Sequence, residues 1–494
     1  MTGAVNRLLR AMYTPAYRQY LRTEDVRKVQ REYLGGLLAK NADTLYGNKY
    51  HFADIHSYKE YTERVPLTTY EDYAPYIDKI ANGAQNILTA EPVLLFEPTS
   101  GSSGARKLIP YTASLRAEFQ AGIKPWLCDL YTNVKGLCDG KSYWSITPLI
   151  TGKEYTPCGI PIGFEEDAAY FGKAEQALLR HIFAVDGSVK FVSNMEQFWH
   201  ITAVQLLSCG KLSLISVWNP TYLTILCSYI KDNAHALRHE LPHEQERLCF
   251  AELNRFDKVF PELRLISLWG DGCAADELPA VAELFPGVQL QPKGLLSTEC
   301  FTSFPLIGQE GSSLSIYSHF FEFRAGSGRI VTAERLRPGA VYEEIVTTGG
   351  GLYRYCTGDL VEVLSTDPIP RIRFLRRTGA TSDLCGEKLT EDFVRSIVKK
   401  LGLPDGLLAP EGHGYTLYTT GEIAPEALDQ ALCEGFHYNW CRQLGQLRQA
   451  EVVRVSEDPA RVYLRRMTAE GMRMGDVKPA VLSRLSGWGE WFSS

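Results

Sequence analysis

Between residues 92 and 360, short apolar runs alternate with stretches of helical periodicity. No other feature constrains the fold as strongly. Runs at 92–96, 107–111, 189–192, 214–217 and 263–269 read as strands, and 195–207 and 276–284 read as helices among them. Strands separated by helices pair in parallel, with the helices covering the sheet faces, so an α/β fold is predicted. The chain of 494 residues is long enough for two or three domains, each with its own core.

The 19 residues 212–230 (LSLISVWNPTYLTILCSYI) carry no formal charge and reach the length of a membrane-spanning helix. Asn219-Pro220 lies near the middle, where proline removes a helix hydrogen bond and restricts the residue before it. Two buried elements joined at Trp218-Asn219-Pro220 are therefore expected, not a span. The N-terminal MTGAVNRLLRAMYTPAY lacks the apolar core of a secretory signal, which points to the cytoplasm. Twelve scattered cysteines, none spaced C-x-x-C, fit that compartment and give no disulfide framework or structural zinc site. The net charge of −6 leaves no basic surplus for nucleic acid.

The chain before residue 85 reads as helices; in 23–40, Val26, Val29, Tyr33 and Leu37 recur at helical spacing. After residue 360 the texture changes. Residues 361–364 and 371–376 read as a hairpin, 390–401 as an amphipathic helix with an acidic first turn, and 413–419 and 450–455 as strands. A compact α+β unit thus follows a candidate hinge.

Three segments carry chemistry. In Pro98-Thr99-Ser100-Gly101-Ser102-Ser103-Gly104-Ala105-Arg106-Lys107, glycines and hydroxyls can turn donors towards phosphate. The spacing is not that of a Walker A loop, and a flexible surface connection has the same composition. Gly294-Leu295-Leu296-Ser297-Thr298-Glu299-Cys300 follows a predicted strand at 288–291, at the sheet edge where open α/β folds bind ligands. There Glu299 could hold Mg²⁺ against phosphate, or Ser297 or Thr298 could cap a helix. In Gly349-Gly350-Gly351-Leu352-Tyr353-Arg354-Tyr355-Cys356-Thr357-Gly358-Asp359, an aspartate expected at a strand end could accept two ribose hydroxyls, or form a Gly-Asp turn.

Taken jointly, T-S-G-S-S-G-x-x-K, S-T-E and Y-x-T-G-D resemble the adenylate-forming enzyme superfamily. Within it, the chain resembles the Gretchen Hagen family of acyl-acid amido synthetases, the auxin-responsive family named from plants. That likeness includes Tyr46-Gly47 with Val65-Pro66, Tyr143-Trp144-Ser145, Val217-Trp218-Asn219-Pro220, Leu352 to Asp359 and Gly386-Glu387-Lys388. In length it looks more like the bacterial members.

The resemblance implies an ATP- and acyl-binding N-terminal domain of parallel β/α units (1–376), a hinge (377–383) and a mobile, smaller α+β C-terminal domain (384–494). It places Thr99, Ser100, Gly101, Ser102, Ser103, Gly104 and Lys107 around the ATP phosphates. Ser297, Thr298 and Tyr353 would lie near the α-phosphate and adenosine, Asp359 and Arg377 at the ribose, and Glu299 at Mg²⁺. A lysine that assists adenylation matches Lys478 best, with Lys388 its rival. Phe119, Trp126, Val217, Trp218 and Tyr222 would line the acyl site. Two departures stand out: Cys356-Thr357 replaces the family's usual Arg-Val or similar pair, and Pro479-Ala480 replaces Pro-Arg after Lys478.

The implied activity is a two-step ligation. A small carboxylic acid is adenylated by MgATP with loss of pyrophosphate, and an amine, expected to be an amino acid, then takes the acyl group. A thioester-forming ligase acting on coenzyme A or a carrier protein is the rival enzyme. A silent sensor of small acids is the rival from another class. Neither nucleic acid nor membrane is expected as a partner.

Overall fold

A computed structural model of the chain describes residues 2–99, 107–146, 154–163, 173–192, 194–241, 243, 245–377, 381–469 and 480–493. The backbone divides into two compact units, one of residues 1–99 with 108–377, the other from residue 378 onward with 100–107.

The strands of the first unit, in chain order, begin with β1 (Leu95–Thr99), β2 (Lys107–Tyr111), β3 (Lys141–Trp144) and β4 (Glu154–Tyr155). They continue with β5 (Pro161–Ile162), β6 (Leu212–Ser216), β7 (Leu265–Leu268) and β8 (Gln289–Pro292). Strands β3, β6, β7 and β8 form a parallel sheet in that order. Every residue of β6 and β7 is buried, as in a sheet covered on both faces. The uncharged run 212–230 splits as its proline requires. β6 ends at Ser216, and a helix runs from Pro220 to Asp232, with Asn219 accepting the N–H of Thr221 and proline in the first turn. Among the described residues no helix is long and apolar enough to cross a membrane. The predicted strand at 189–192 is instead part of a 3₁₀ turn, Gly187–Phe191, because Asp186 takes the N–H of Ser188 and winds the chain.

Between residues 300 and 377 the strands are joined by short connections and pair antiparallel, so within the first unit the parallel sheet ends at β8. These strands are β9 (Ser303–Pro305), β10 (Ser312–Leu314), β11 (Phe320–Ala325), β12 (Ile330–Thr332), β13 (Val341–Thr347), β14 (Tyr355–Ser365) and β15 (Arg371–Arg377). They form one sheet in the order β12-β11-β13-β14-β15-β10-β9. The helix Ala113–Asn133, capped by Thr112, carries residues that meet both sheets: Trp126 reaches Gln291 of β8, and Glu118 receives a hydrogen bond from Gly349 between β13 and β14.

The second unit holds a three-stranded sheet of β18 (Leu407–Glu411), β19 (Gly414–Thr419) and β20 (Glu451–Arg454), after a short hairpin of β16 (Thr381–Ser382) and β17 (Leu389–Thr390). The helix Glu391–Lys400 starts with Thr390 as cap and two acidic residues, and it ends in two lysines, matching its dipole at both ends. Leu408, Tyr415, Leu417, Leu428 and Leu432 belong to its core.

Candidate active site

Three carboxylates, Glu299, Glu344 and Asp359, are gathered in the first unit, each less than a tenth exposed. Glu299 follows β8 on a tight turn. Ser297 and Cys300 exchange backbone contacts, with Ser297 N–H donating to the Cys300 carbonyl at 3.0 Å, and Cys300 N–H donates to Ser297 Oγ at 3.3 Å. No helix starts there, so Ser297 and Thr298 are not N-caps. Ser297 and Thr298 are half-buried beside Glu299.

Asp359 lies inside β14, neither at a strand end nor in a turn. On β13–β14, Ile345 pairs with Cys356 and Glu343 with Leu360, so Thr357, Gly358 and Asp359 face the single residue Glu344. The bulge depends on Gly358, whose φ of 79° is readily adopted only without a side chain. It turns Asp359 and Thr357 inward with Tyr355. Glu344 accepts from Thr302 Oγ at 2.7 Å and from Thr357 Oγ at 3.3 Å. Burial, and then the charges of Asp359 and Glu299, push its carboxyl up to about 8. Tyr355 Oη approaches Glu299 at 3.5 Å. The cluster concentrates negative charge that a cation or hydroxyl donors would relieve; its oxygens are of the type Mg²⁺ takes, but they are not drawn together as a ready set of ligands.

Arg377 pairs in register with Asp359 across β14–β15; its side chain, like that of Thr99 at the end of β1, lies outside the described residues. Ser100 to Gly104 and Lys478 lie outside them altogether, and Lys107 opens β2, half-buried. Tyr353 is fully buried; its ring stacks on Tyr46 at 5.1 Å and its hydroxyl donates to the Leu88 carbonyl at 2.9 Å, which places it in the aromatic core. Lys388, in the second unit, has a φ of 47° and follows Glu387. Glu387 accepts from the N–H groups of Leu384 and Cys385 and from Tyr415 Oη, so Gly386-Glu387-Lys388 is a turn held by its own glutamate. Those bonds also occupy Glu387 within the Cys385–Glu387–Cys441 group, the one set of close metal-ligating atoms among the described residues.

The five expected acyl residues divide. Trp126 and Trp218 stand together around Lys293, which the sequence reading did not single out. Tyr222 shares a 2.7 Å hydroxyl contact with Tyr143 and a ring contact with Trp199. Tyr143 alternates with Trp144 on β3, so Tyr222 belongs to the opposite sheet face. Phe119 packs against Phe301, and Val217 is buried with its N–H on the Ser267 carbonyl. Glu344 was missed too, although it shares strand parity with buried Tyr342 and Val346, the one signal that could have exposed it.

Residues 17–248 match the GH3 family N-terminal domain and residues 312–377 the GH3 family central domain, together more than half of the chain. Indole-3-acetic acid-amido synthetase GH3.8 of Oryza sativa subsp. indica is 25% identical over 463 residues, covering 81% of this chain and 73% of its own. Indole-3-acetic acid-amido synthetase GH3.4 of Arabidopsis thaliana is 23% identical over 456 residues, covering 81% and 74%. Among solved structures, the AtGH3.15 acyl acid amido synthetase in complex with 2,4-DB has a TM-score of 0.65 at 18% identity, covering 100% of this chain and 96% of that one, so the two share a fold. With these matches spanning both the N-terminal and the central parts, the chain belongs to the GH3 family of acid-amido synthetases, which are ligases.

Proposed function

We propose that this amido synthetase adenylates a small carboxylic acid with ATP, releasing pyrophosphate, and passes the acyl group to an amine, in the cytoplasm. The observation that carries the reading is the Glu299–Glu344–Asp359 cluster, in which Glu299 and Asp359 come from two of the motifs that carry the resemblance. Asp359 accepts the ribose hydroxyls, and Arg377 serves the same sugar. Ser100 to Lys107 wrap the phosphates. Glu299 would hold Mg²⁺, which when bound neutralises phosphate charge. Glu344, protonated near neutral pH, keeps the pair of charges beside it tolerable until the nucleotide arrives. The acid lies on the Trp126–Trp218 side of the parallel sheet. Residues 377–383 act as a hinge, so that the C-terminal domain can serve adenylation in one placement and admit the amine in another.

The test is pyrophosphate release from ATP with a panel of small acids, followed by addition of amino acids or coenzyme A. Acid-dependent pyrophosphate followed by an amide product supports the reading. A coenzyme A thioester would replace the amine by a thiol, and no acid-dependent release would leave only a sensor. Within the active enzyme, Asp359→Ala is expected to raise KM for ATP roughly tenfold or more, from loss of charge-assisted hydrogen bonds. Glu299→Gln is expected to shift activity to higher Mg²⁺. Unchanged ATP and Mg²⁺ dependence in both variants would remove the cluster from the nucleotide site.

A further inference from the structure

The parallel sheet carries a line of in-register residues that is unusually polar for its depth. Trp144 of β3 pairs with Ser216 of β6, Ser216 with Ser267 of β7, and Ser267 with Gln291 of β8. In-register neighbours on parallel strands project to one face, and Lys293, two residues after Gln291, continues that face. Ser216, Ser267, Gln291 and Lys293 are all buried.

Lys293 Nζ donates to Ser216 Oγ at 2.5 Å and stands 5.3, 5.4 and 5.1 Å from the ring centres of Trp126, Trp144 and Trp218. The lysine is 6% exposed, whereas Trp218 is 51% exposed and forms the outer wall. Two further polar atoms of the same line, Ser267 Oγ and Gln291 Nε2, are buried with no hydrogen-bond partner. Trp126 Nε1 donates to Gln291 Oε1 at 3.2 Å, which fixes the amide with its NH₂ free. The unfilled capacity is therefore mainly that of donors: ammonium, amide NH₂ and hydroxyl. Buried donors are normally satisfied, so a row of donors beside three flat aromatic rings suits a flat ligand with acceptor oxygens.

We infer that Lys293 is the acid-recognition residue: it binds an anionic oxygen of the acid, assisted by Gln291 and Ser267, while Trp126, Trp144 and Trp218 hold a flat apolar body. The inference rests on the acid-activating function above and adds to it the residue that holds the acid's anionic oxygen. The anionic oxygen could belong to the carboxylate that is activated or to a second, distal one. Other titratable groups on the elements packed around Lys293 are engaged elsewhere. Glu118 binds Gly349, Lys124 pairs with Glu175, Asp129 accepts from Tyr17, Tyr131 donates to Asn6, Tyr143 meets Tyr222, and Asp271 accepts the Phe374 N–H. Lys141 and Lys211 stand at the opposite, N-terminal edge of the sheet. Burial alone pushes the Lys293 ammonium down to about 7. It is charged below that pH and neutral above it, so acid binding should weaken as pH rises through 7.

The test is equilibrium binding without ATP, read from the fluorescence of the cage tryptophans. The probes are aromatic monocarboxylates, aromatic dicarboxylates and the uncharged primary amides of the same rings. Lys293→Met is expected to fold, since it replaces a buried amine by an apolar chain of similar length, and its thermal melt checks this. It should weaken carboxylate binding roughly ten- to a hundredfold, abolish the pH dependence near 7 and leave amide binding unchanged. Lys293→Arg, which keeps the charge, should recover part of the affinity. Loss for monocarboxylates assigns the activated carboxylate to Lys293; loss for dicarboxylates alone assigns the distal one. Wild-type affinity and selectivity in a folded Lys293→Met protein overturns the inference, as does a wild-type protein that prefers no carboxylate over its amide. Acid binding without pyrophosphate release would strike the proposed function and leave the pocket standing.

Discussion

Both carboxylate oxygens of Glu118 accept the backbone N–H of Gly349, each at 2.9 Å. The same carboxylate accepts from Tyr33 Oη at 2.7 Å and faces His319 Nδ1 at 3.0 Å, while His319 Nε2 accepts the N–H of Phe301 at 2.9 Å. The imidazole proton therefore lies on Nδ1, towards Glu118. One buried glutamate thus ties the segment before β14 to the turn that carries Glu299. Gly349 permits the approach, because a β-carbon there would stand 2.2 Å from a Glu118 oxygen.

Glu118→Ala is expected to strand several buried donors at once. Each unsatisfied group costs about 1–3 kcal/mol, so a loss of at least about 3 kcal/mol should appear in urea denaturation. KM for ATP should rise as well, because the Glu299 turn and the Gly349 segment lose their common anchor. A variant with wild-type stability would show that water replaces the carboxylate.

A second prediction concerns pH. The Glu344 carboxyl, ordinarily at 4.5, stands near 8 in the folded chain, so between those values the unfolded chain is ionised there and the folded chain is not. The unfolded state then binds fewer protons, and this group's contribution to stability falls as pH rises from 4.5 to 8. Glu344→Gln, which cannot ionise, should gain on the wild type by up to roughly 1.4 kcal/mol per pH unit within that window. Denaturation of both proteins at acid, neutral and mildly alkaline pH measures it. A flat difference would mean that Glu344 is already ionised when folded.

What the sequence disclosed depended on how local the physics was. Pro220 forbids a continuous helix and Asn219 caps the next one, so the break in the run 212–230 needed no tertiary information. Strands β6 and β7 announced themselves as short apolar runs because both sheet faces are covered. The functional meaning of Glu344 was hidden, because its depth is set by the bulge at Gly358 on another strand. Lys293 follows a proline and reads as a surface residue, yet three tryptophans from remote positions close around it. The sequence pattern puts Asp359 at a strand end, whereas it lies inside β14. Its place inside β14 follows from a register that no local pattern encodes.

The Arg354–Glu322 pair supplies a third prediction. Arg354, at a φ of 51°, donates Nε and Nη2 to the two Glu322 oxygens at 3.0 Å each, and Nη1 to the Val65 carbonyl at 2.9 Å. Removing one member of a buried pair commonly costs about 3–5 kcal/mol, more than removing both. Arg354→Met alone should therefore destabilise strongly, and adding Glu322→Gln should restore part of the loss. Additive losses in the double-mutant cycle would show that the arginine acts through its backbone carbonyl contacts and not through the ion pair.

The last prediction separates Lys478 from Lys388, the two lysines that the family resemblance offers for adenylation. A lysine that stabilises charge developing as pyrophosphate leaves should matter for acyl-AMP formation alone. Lys478→Ala is expected to slow that half-reaction by on the order of 10²–10³ while sparing the attack of amine on pre-formed acyl-AMP. Lys388 offers the comparison. It sits in the turn held by Glu387, and its charge, after burial, helps push the nearby His437 imidazole down to about 4. Lys388→Ala should therefore raise the His437 titration in NMR spectra whether or not the lysine is catalytic, which gives an internal check that the turn survives. If adenylation slows only in that variant, the role belongs to Lys388. If Lys478→Ala slows both half-reactions equally, its effect is on folding or docking of the C-terminal domain, and the assignment to adenylation fails.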